Sequence, residues 1–333
     1  MKLKTRLMPE HRKRVLVTGS TGFIGANLTR RLVRDGHDVH LMVRPRDTQW
    51  RIKAILDQVT LHECSLQEEE RVEQVVASID PEWIFHLAAY GAYSSQRNVQ
   101  DIVTTNYNGT VNIVEASLKT GFEAFVNAGT SSEYGYVDHA PRESELPEPN
   151  SVYAATKAAA TLYCRYAAQA HHRHLSTLRL YSVFGPWEDP TRLLPTLLVN
   201  GLRGELPPLA SPTIARDFVY VDDAVEAFVL TAQSQSAERG SVFNVGTGVQ
   251  TTLAQLVEVV RTQLSIPNEP EWGSMPARQW DTDVWVADSD HFRSATGWTP
   301  SHTLEAGLRE FTNWITSDQA IRDHYESCRT PPL

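Results

Sequence analysis

Tyr153 and Lys157 are the pair whose types and spacing best suit proton chemistry, in the run Ser151-Val152-Tyr153-Ala154-Ala155-Thr156-Lys157. Asn150 or Ser151 suits a helix start. The Ala-Ala-Thr-Lys-Ala-Ala-Ala-Thr-Leu that follows Tyr153 consists mostly of strong helix formers. Residues four apart on one helix share a face. A free phenol, with a pKa of about 10, is a poor acid or base at neutral pH. A nearby ammonium favours phenolate and brings the group towards a useful range. A Tyr and a Lys at this spacing also occur on solvated helix faces, so the pair takes its meaning from the rest of the chain.

The N-terminal region supplies that meaning. Arg14-Val15-Leu16-Val17-Thr18 reads as a buried strand and Gly19-Ser20-Thr21-Gly22-Phe23-Ile24-Gly25 as a G-x-x-G-x-x-G loop opening the helix from Ala26 to Arg34; Asp38 to Val43 is a second strand. In a strand-loop-helix-strand setting such glycines allow a tight turn and close approach of a dinucleotide pyrophosphate to the helix N-terminus. An acidic residue at the end of the second strand would bond the adenosine ribose of NAD. Here Arg44-Pro45-Arg46 follows Val43, and a guanidinium suits a 2′-phosphate. NADP(H) is therefore expected over NAD(H). The competing arrangement leaves both arginines solvated and bends Asp47 back to the ribose.

Further strands are expected over Thr60 to Leu66, Trp83 to Ala89, Phe122 to Asn127, Ser176 to Tyr181 and Phe243 to Gly246, and Arg216 to Asp223 reads as a strand leading into a helix. Helices are expected over Glu68 to Ser78, Asn106 to Leu118, the Tyr153 region and Leu253 to Leu264. The alternation predicts an α/β fold, a doubly wound parallel Rossmann sheet, with a smaller C-terminal α/β lobe for substrate. The dinucleotide domain is placed at 14–180, with later segments returning to it, and the second lobe at 181–333. Ligands of such sheets sit at the carboxyl ends of the strands, which makes the Thr130 hydroxyl a site candidate.

The 333 residues are 41% hydrophobic, enough for more than one lobe, and the net charge of −9 argues against a general nucleic-acid binder. The basic start (Lys2, Lys4, Arg6, Arg12, Lys13, Arg14) lacks an apolar stretch and reads as a solvated tail rather than a secretory signal. No apolar run is long enough to span a membrane. Cys64, Cys164 and Cys328 form neither a disulfide framework nor a metal motif. No metal is expected, and a cytoplasmic location fits.

Taken jointly, Gly19-x-x-Gly22-x-x-Gly25, His86-Leu-Ala-Ala89, Asn106-x-x-Gly109-Thr110, Thr130 before Tyr134-Gly135, Tyr153-x-x-x-Lys157 and Arg216-Asp217-Phe218 resemble the extended short-chain dehydrogenase/reductase family. This is the group of nucleotide-sugar epimerases, dehydratases and reductases, and the likeness runs from about residue 14 to 315. The resemblance implies that Tyr153 exchanges the proton at a sugar hydroxyl or carbonyl. Lys157 would hold the nicotinamide ribose and lower the tyrosine pKa, and Thr130 would bond the same sugar oxygen. It implies a cofactor held by Gly19, Thr21, Gly22, Phe23, Ile24, Gly25, Arg44, Leu87, Ala88, Ala89, Asn106, Tyr153 and Lys157. It implies a nucleotide-diphosphate sugar contacted by Ser131, Ser132, Arg216, Arg278 and Asp281. A homodimer through the Asn106 and Tyr153 helices is also implied, with Ala158, Ala159 and Ala160 allowing close packing.

Departures from the family pattern select among reactions. The 4,6-dehydratases carry Asp-Glu or Ser-Glu after the threonine, where this chain has Ser131-Ser132, and hydroxyls serve poorly as the base and acid of dehydration. Glu133 should point elsewhere. The stretch Thr-Ser-Ser-Glu-Tyr-Gly is similar to that of 4-keto-6-deoxy-sugar reductases, and Arg44 fits NADPH. The expected activity is thus NADPH-dependent reduction of a nucleotide-linked 4-keto sugar. The rival is a 4-epimerase with recycled NAD(P). More distant readings are a non-catalytic cofactor-binding regulator and a nucleic-acid binder acting through the basic tail.

Overall fold

The computed structural model describes residues 12–45, 47–93, 95–234, 239–276 and 282–328. Its main sheet has seven strands: β1 (Arg14–Thr18), β2 (Asp38–Val43), β3 (Thr60–Glu63), β4 (Trp83–His86), β5 (Ala124–Thr130), β6 (Leu175–Leu180) and a late strand, Val242–Val245. In space the order is β3-β2-β1-β4-β5-β6 and then the late strand, with every pairing parallel. The order reverses between β1 and β4, which opens a crevice at the carboxyl ends of the strands.

Buried parallel strands must be apolar on both faces, and alternate side chains divide between two cores. Val15, Val17, Leu41, Phe85 and Val126 face helix α1 (Phe23–Arg34), and also a helix at Val221–Gln233 whose Phe228 joins them. Leu16, Met42, Ile84 and Phe125 face the other way. They meet α2 (Glu69–Ile79), the helix through Asn106 and the Tyr153 helix. Truncating a fully buried ring such as Phe85 to alanine would cost about 3–5 kcal/mol.

The Asn106 helix begins earlier than the sequence suggests. It runs as α3 (Val99–Val103), a π-helical turn at Thr104–Asn108, and α4 (Gly109–Thr120). The Tyr153 helix, α5, spans Val152–Ala170.

The second lobe was less legible. Its three-stranded sheet combines β7 (Ser182–Phe184), β8 (Ala215–Tyr220) and the antiparallel Gln250–Thr252, in reverse spatial order. In chain order come α6 (Leu193–Gly201), β8, α7 (Val221–Gln233), the late main-sheet strand as β9 (Val242–Val245), β10 (Gln250–Thr252) and α8 (Leu253–Leu264), with α6 packed on α8. After α9 (Asp290–Thr296) come α10 (Leu304–Ser317) and α11 (Gln319–Ser327). Phe184, Leu198, Tyr220, Leu256, Phe311 and Tyr325 form its core. Helix α7 packs on the main sheet, and β9 pairs with β6 within it.

Two residues assigned to a solvated tail are anchored instead. Lys13 Nζ bonds Glu82 (3.1 Å) and Glu123 (2.8 Å), and Arg14 opens β1 with its guanidinium on Asp80 at 2.8 Å. Residues 1–11 of the tail lie outside the described residues. Among the described residues, no helix is long and apolar enough to cross a membrane.

Candidate active site

Helix α5 begins with Ser151, whose Oγ accepts the Ala154 N–H at 3.2 Å. This cap fixes the first turn, and Tyr153 and Lys157 follow on one side of the helix. Tyr153 is half-buried and Lys157 is buried. Strand β5 ends at Thr130, whose side chain is near enough to the Tyr153 phenol to favour its ionised form. Thr130 Oγ also accepts the Ser132 N–H at 3.2 Å, and Glu133 Oε1 accepts the Thr130 N–H at 3.0 Å. The hydroxyl is thus held at the strand end by a reciprocal cap.

The phenol's ionisation differs from the expectation. Burial, and next the negative charge of Glu133, push Tyr153 up to about 12; the Arg192 charge and the Thr130 side chain pull the other way. Burial also lowers Lys157, against the opposing pull of Glu133. For both groups desolvation is the largest influence, and it disfavours the charged form.

Glu133 lies behind the site and is fully buried. Its Oε2 accepts from Arg179 Nε of β6 at 2.8 Å and its Oε1 from Thr161 Oγ1 of α5 at 3.0 Å. The side chain therefore points away from the crevice, as the register required. Arg179, absent from the sequence reading, is the buried counter-charge, with its guanidinium 4.4 Å over the Tyr134 ring. A lone Arg in an apolar strand was the available signal.

On the other side of the crevice the glycine loop is drawn tight. Gly19 has φ +72°, and a Cβ there would stand 2.5 Å from the Leu87 carbonyl carbon; one at Gly25 would stand 2.2 Å from Gly19 O. Helix α1 starts at Phe23 with no side-chain cap and no acidic residue in its first turn. Its first N–H groups, including those of Phe23 and Ile24, suit an anion. The Ser20 hydroxyl is buried without a partner. This cradle fits a dinucleotide pyrophosphate. Leu87, Ala88 and Ala89 leave β4 beside it, with Leu87 N–H bonded to Thr18 O at 3.1 Å.

Two expected motif residues work one layer back. His86 is fully buried, with Nδ1 2.7 Å from Thr18 Oγ1 and Nε2 3.0 Å from Thr110 Oγ1; burial pushes it down to about 3, so it is a neutral brace. Asn106 accepts the Tyr90 N–H (2.8 Å) and donates to Tyr90 O (2.8 Å) and Thr156 Oγ1 (3.0 Å). Its amide is engaged by the loop after β4 and by α5, so it steadies both.

The 2′-phosphate expectation loses its ground at Arg44. Arg44 Nη2 is paired with Asp47 Oδ1 at 2.8 Å, and Asp47 N–H bonds Arg44 O, closing a turn. The turn carries the Asp47 carboxylate back to the glycine loop, where Thr21 Oγ1 donates to Oδ2 at 3.3 Å. Asp47 is 17% exposed and Arg44 59%. The acid that the sequence lacks at the strand end is thus supplied three residues later.

Towards the second lobe, Ser131 Oγ accepts from Trp285 Nε1 at 3.1 Å, and the Arg216 guanidinium lies 5.0 Å over the Trp285 ring. Ser131 and Arg216 are thereby linked through a tryptophan that sequence reasoning missed; Ser132, half-buried, lies beside them in the chain. Asp217 is buried and accepts from Thr247, Gly248 and Ala287 backbone N–H groups, joining β8 to the loop before β10. A second missed residue, Arg192, lies 4.6 Å over the Tyr93 ring and donates to Ala92 O at 3.0 Å. Arg278 and Asp281 lie outside the described residues, as does Arg46.

A family model described as the NAD-dependent epimerase/dehydratase family matches residues 15–246. The chain belongs to this family. A UDP-glucose 4-epimerase of Mycolicibacterium smegmatis is 32% identical over 309 residues, covering 89% of this chain and 96% of that one. A probable UDP-glucuronate 4-epimerase of Rhizobium meliloti is 27% identical over 93% of this chain and 98% of its own. Among solved structures, a UDP-glucose 4-epimerase of Thermotoga maritima with UDP-glucose superposes with a TM-score of 0.82 at 29% identity, covering 91% of this chain and 98% of the other. MoeE5 in complex with UDP-glucuronic acid and NAD does so at 0.78 and 30%, covering 91% and 99%. The family is named for NAD, and a preference for NADP finds no support among these relatives.

Proposed function

We propose that the protein is a nucleotide-sugar 4-epimerase that keeps NAD(H) bound through its cycle. The observation that carries this reading is Asp47 folded onto the glycine loop with Arg44 already paired to it. A carboxylate there accepts from a ribose hydroxyl and repels a 2′-phosphate. That removes the argument for NADPH, and with it the main argument for net reduction. The similar UDP-glucose and UDP-glucuronate 4-epimerases support the same choice.

When bound, the nicotinamide accepts and returns a hydride at the sugar C4. The chain's own residues handle the proton and the orientation. Tyr153 takes the proton from the C4 hydroxyl and gives it back after the sugar has turned. Thr130 bonds the same oxygen and fixes its distance from the phenol. Lys157, one turn along α5, supplies a positive charge that favours the phenolate form needed to take that proton. Ser131, Arg216 and Trp285 mark the way to the diphosphate. Glu133 is sequestered by Arg179 and Thr161, which leaves hydroxyls where dehydration needs an acid and a base.

Pure protein incubated with UDP-glucose and UDP-glucuronate, without added cofactor, decides between the readings. The C4 epimer should form with no net change in reduced nicotinamide. If product forms from a 4-keto sugar only as NADPH is consumed, the enzyme is a ketoreductase instead.

A homodimer is part of the proposal. The Ala158–Ala160 run does not line its face, because Ala158 and Ala160 are buried within the protomer. Helix α5 instead exposes Leu162 (57%) and Tyr166 (61%), beside a groove formed by Tyr107, Val111 and Tyr163.

A further inference from the structure

Three consecutive carbonyls in the turn after β7 are each held by a side chain from a different part of the molecule. Asn27 Nδ2, on α1, donates to Pro186 O at 2.9 Å. Arg51 Nε, from the segment between β2 and β3, donates to Trp187 O at 2.7 Å. Tyr325 OH, on α11, donates to Glu188 O at 2.5 Å. The chain would not hold this turn unaided. Trp187 sits at φ +71°, a left-handed conformation that costs a bulky residue about 1 kcal/mol or more. Its indole is clamped by the Arg30 guanidinium at 4.1 Å and by Trp314 at 4.9 Å.

Arg51 is where these restraints meet the cofactor loop. It is nine-tenths buried, and its Nη1 donates to Thr21 O, inside the glycine loop, at 3.2 Å. Arg30 donates to the Arg51 carbonyl, and the Arg51 guanidinium lies 4.5 Å over the Trp50 ring. Among the described residues no carboxylate lies within ion-pair distance of it. A buried cation bonded to carbonyls alone is a costly way to fill space. What this one does geometrically is join Thr21 to Trp187, the cofactor side to the second lobe.

The joined turn leads directly to Arg192. Arg192 is fixed on Ala92 O and the Tyr93 ring, and its charge acts on the Tyr153 phenol. The Arg192 N–H also donates to Asp189 O at 2.9 Å, which ties Arg192 to the residue after the turn.

We propose that Arg51 is a positioning residue that couples the state of the cofactor loop to the Pro186–Glu188 turn, and through it to Arg192. The inference rests on the cofactor site of the proposed function, and is independent of which sugar is turned over. Hydrogen exchange on protein stripped of nucleotide, with and without saturating NAD+, tests it. In the wild type, NAD+ should slow exchange at 19–25 and also, by threefold or more, at 185–192. Arg51→Gln should keep the first protection and lose the second, and Arg51→Lys, which retains the charge and a donor, should restore part of it. A purely structural role would instead raise exchange equally with and without NAD+, and that result overturns the proposal. So does equal NAD+-induced protection of 185–192 in Arg51→Gln and wild type, or none there in the wild type. If Arg51→Gln does not fold, Asn27→Ala is read in its place, with partial loss expected. Absence of protection at 19–25 would refute the cofactor site itself, whereas failure to invert C4 would leave this test untouched.

Discussion

Replacing Asp47 by asparagine should turn the cofactor preference around. The wild-type carboxylate stands beside the glycine loop, 3.3 Å from Thr21 Oγ1, with Arg44 paired to its other oxygen at 2.8 Å. One charge-assisted bond to a ribose hydroxyl contributes about 1.5–3 kcal/mol, or about ten- to a hundredfold in NAD+ affinity. Against NADP+ the carboxylate also repels the 2′-phosphate. At about 4 Å and an effective dielectric of about 20 that repulsion is about 4 kcal/mol per charge pair before salt screening. In Asp47→Asn the repulsion goes and the Arg44 guanidinium is released to bind phosphate. Together these are about 5.5–7 kcal/mol before screening, so the ratio of NAD+ to NADP+ affinity should fall by about 10⁴-fold or more at low salt and by less as salt is raised. Arg44→Ala is the control. The exposed pair it breaks contributes only about 0–1 kcal/mol, so NAD+ affinity should stay within about fivefold. Calorimetric titration of both cofactors into the three proteins gives the numbers. Tighter NADP+ than NAD+ in the wild type, or an unchanged ratio in Asp47→Asn, would refute the reasoning.

Tyr153→Phe should retain NAD+ binding and lose about 10² to 10⁴-fold in turnover; a near-normal rate removes the phenol from the mechanism. Glu133→Gln leaves Arg179 buried without its counter-charge and should cost about 3–5 kcal/mol in denaturant unfolding. In whatever folds, the Tyr153 pKa should drop, because the Glu133 charge raises it, so the phenol-dependent limb of the kcat/KM profile should move to lower pH. His86 binds a proton less readily folded than unfolded. Stability from this group should be intact above about 6.5 and decline as pH falls towards about 3, and His86→Gln should flatten that part of the acid-unfolding curve. Leu162→Glu with Tyr166→Glu should convert a dimer to a monomer in sedimentation at unchanged melting temperature; a wild-type monomer would remove the dimer from the reading.

Strands of the main sheet were legible because buried parallel strands are short apolar runs, and β1, β2 and helix α8 appear with the expected boundaries. Strands β7 and β10 are three residues each, too short for any periodicity, and α10 and α11 follow no motif that chemistry would mark. Of the candidate site, Tyr153, Lys157 and Thr130 were singled out from spacing and strand position. Trp285, Arg192 and Arg179 were not, since each acts through contacts between segments more than 40 residues apart. Asp47 was visible only as the lesser alternative. Its role depends on a backbone turn, Asp47 N–H to Arg44 O, that a strand-end rule cannot see.

The π-helical turn at Thr104–Asn108 acts as a phase shifter. One extra residue in the helix displaces everything before it by about 100° relative to everything after it. With that offset Asn106 looks inward to Tyr90 and Thr156, while the neighbouring Tyr107 packs edge-on against Tyr163 at the outer groove. Deleting a single residue between 104 and 108 would give a more regular helix and a worse protein. α3 would turn its buried Ile102 out of line, and the steadied loop after β4 would lose its tether. Length in this segment is therefore constrained more tightly than residue identity: substitutions at Thr104 or Asn108 should be absorbed, whereas insertions and deletions should not.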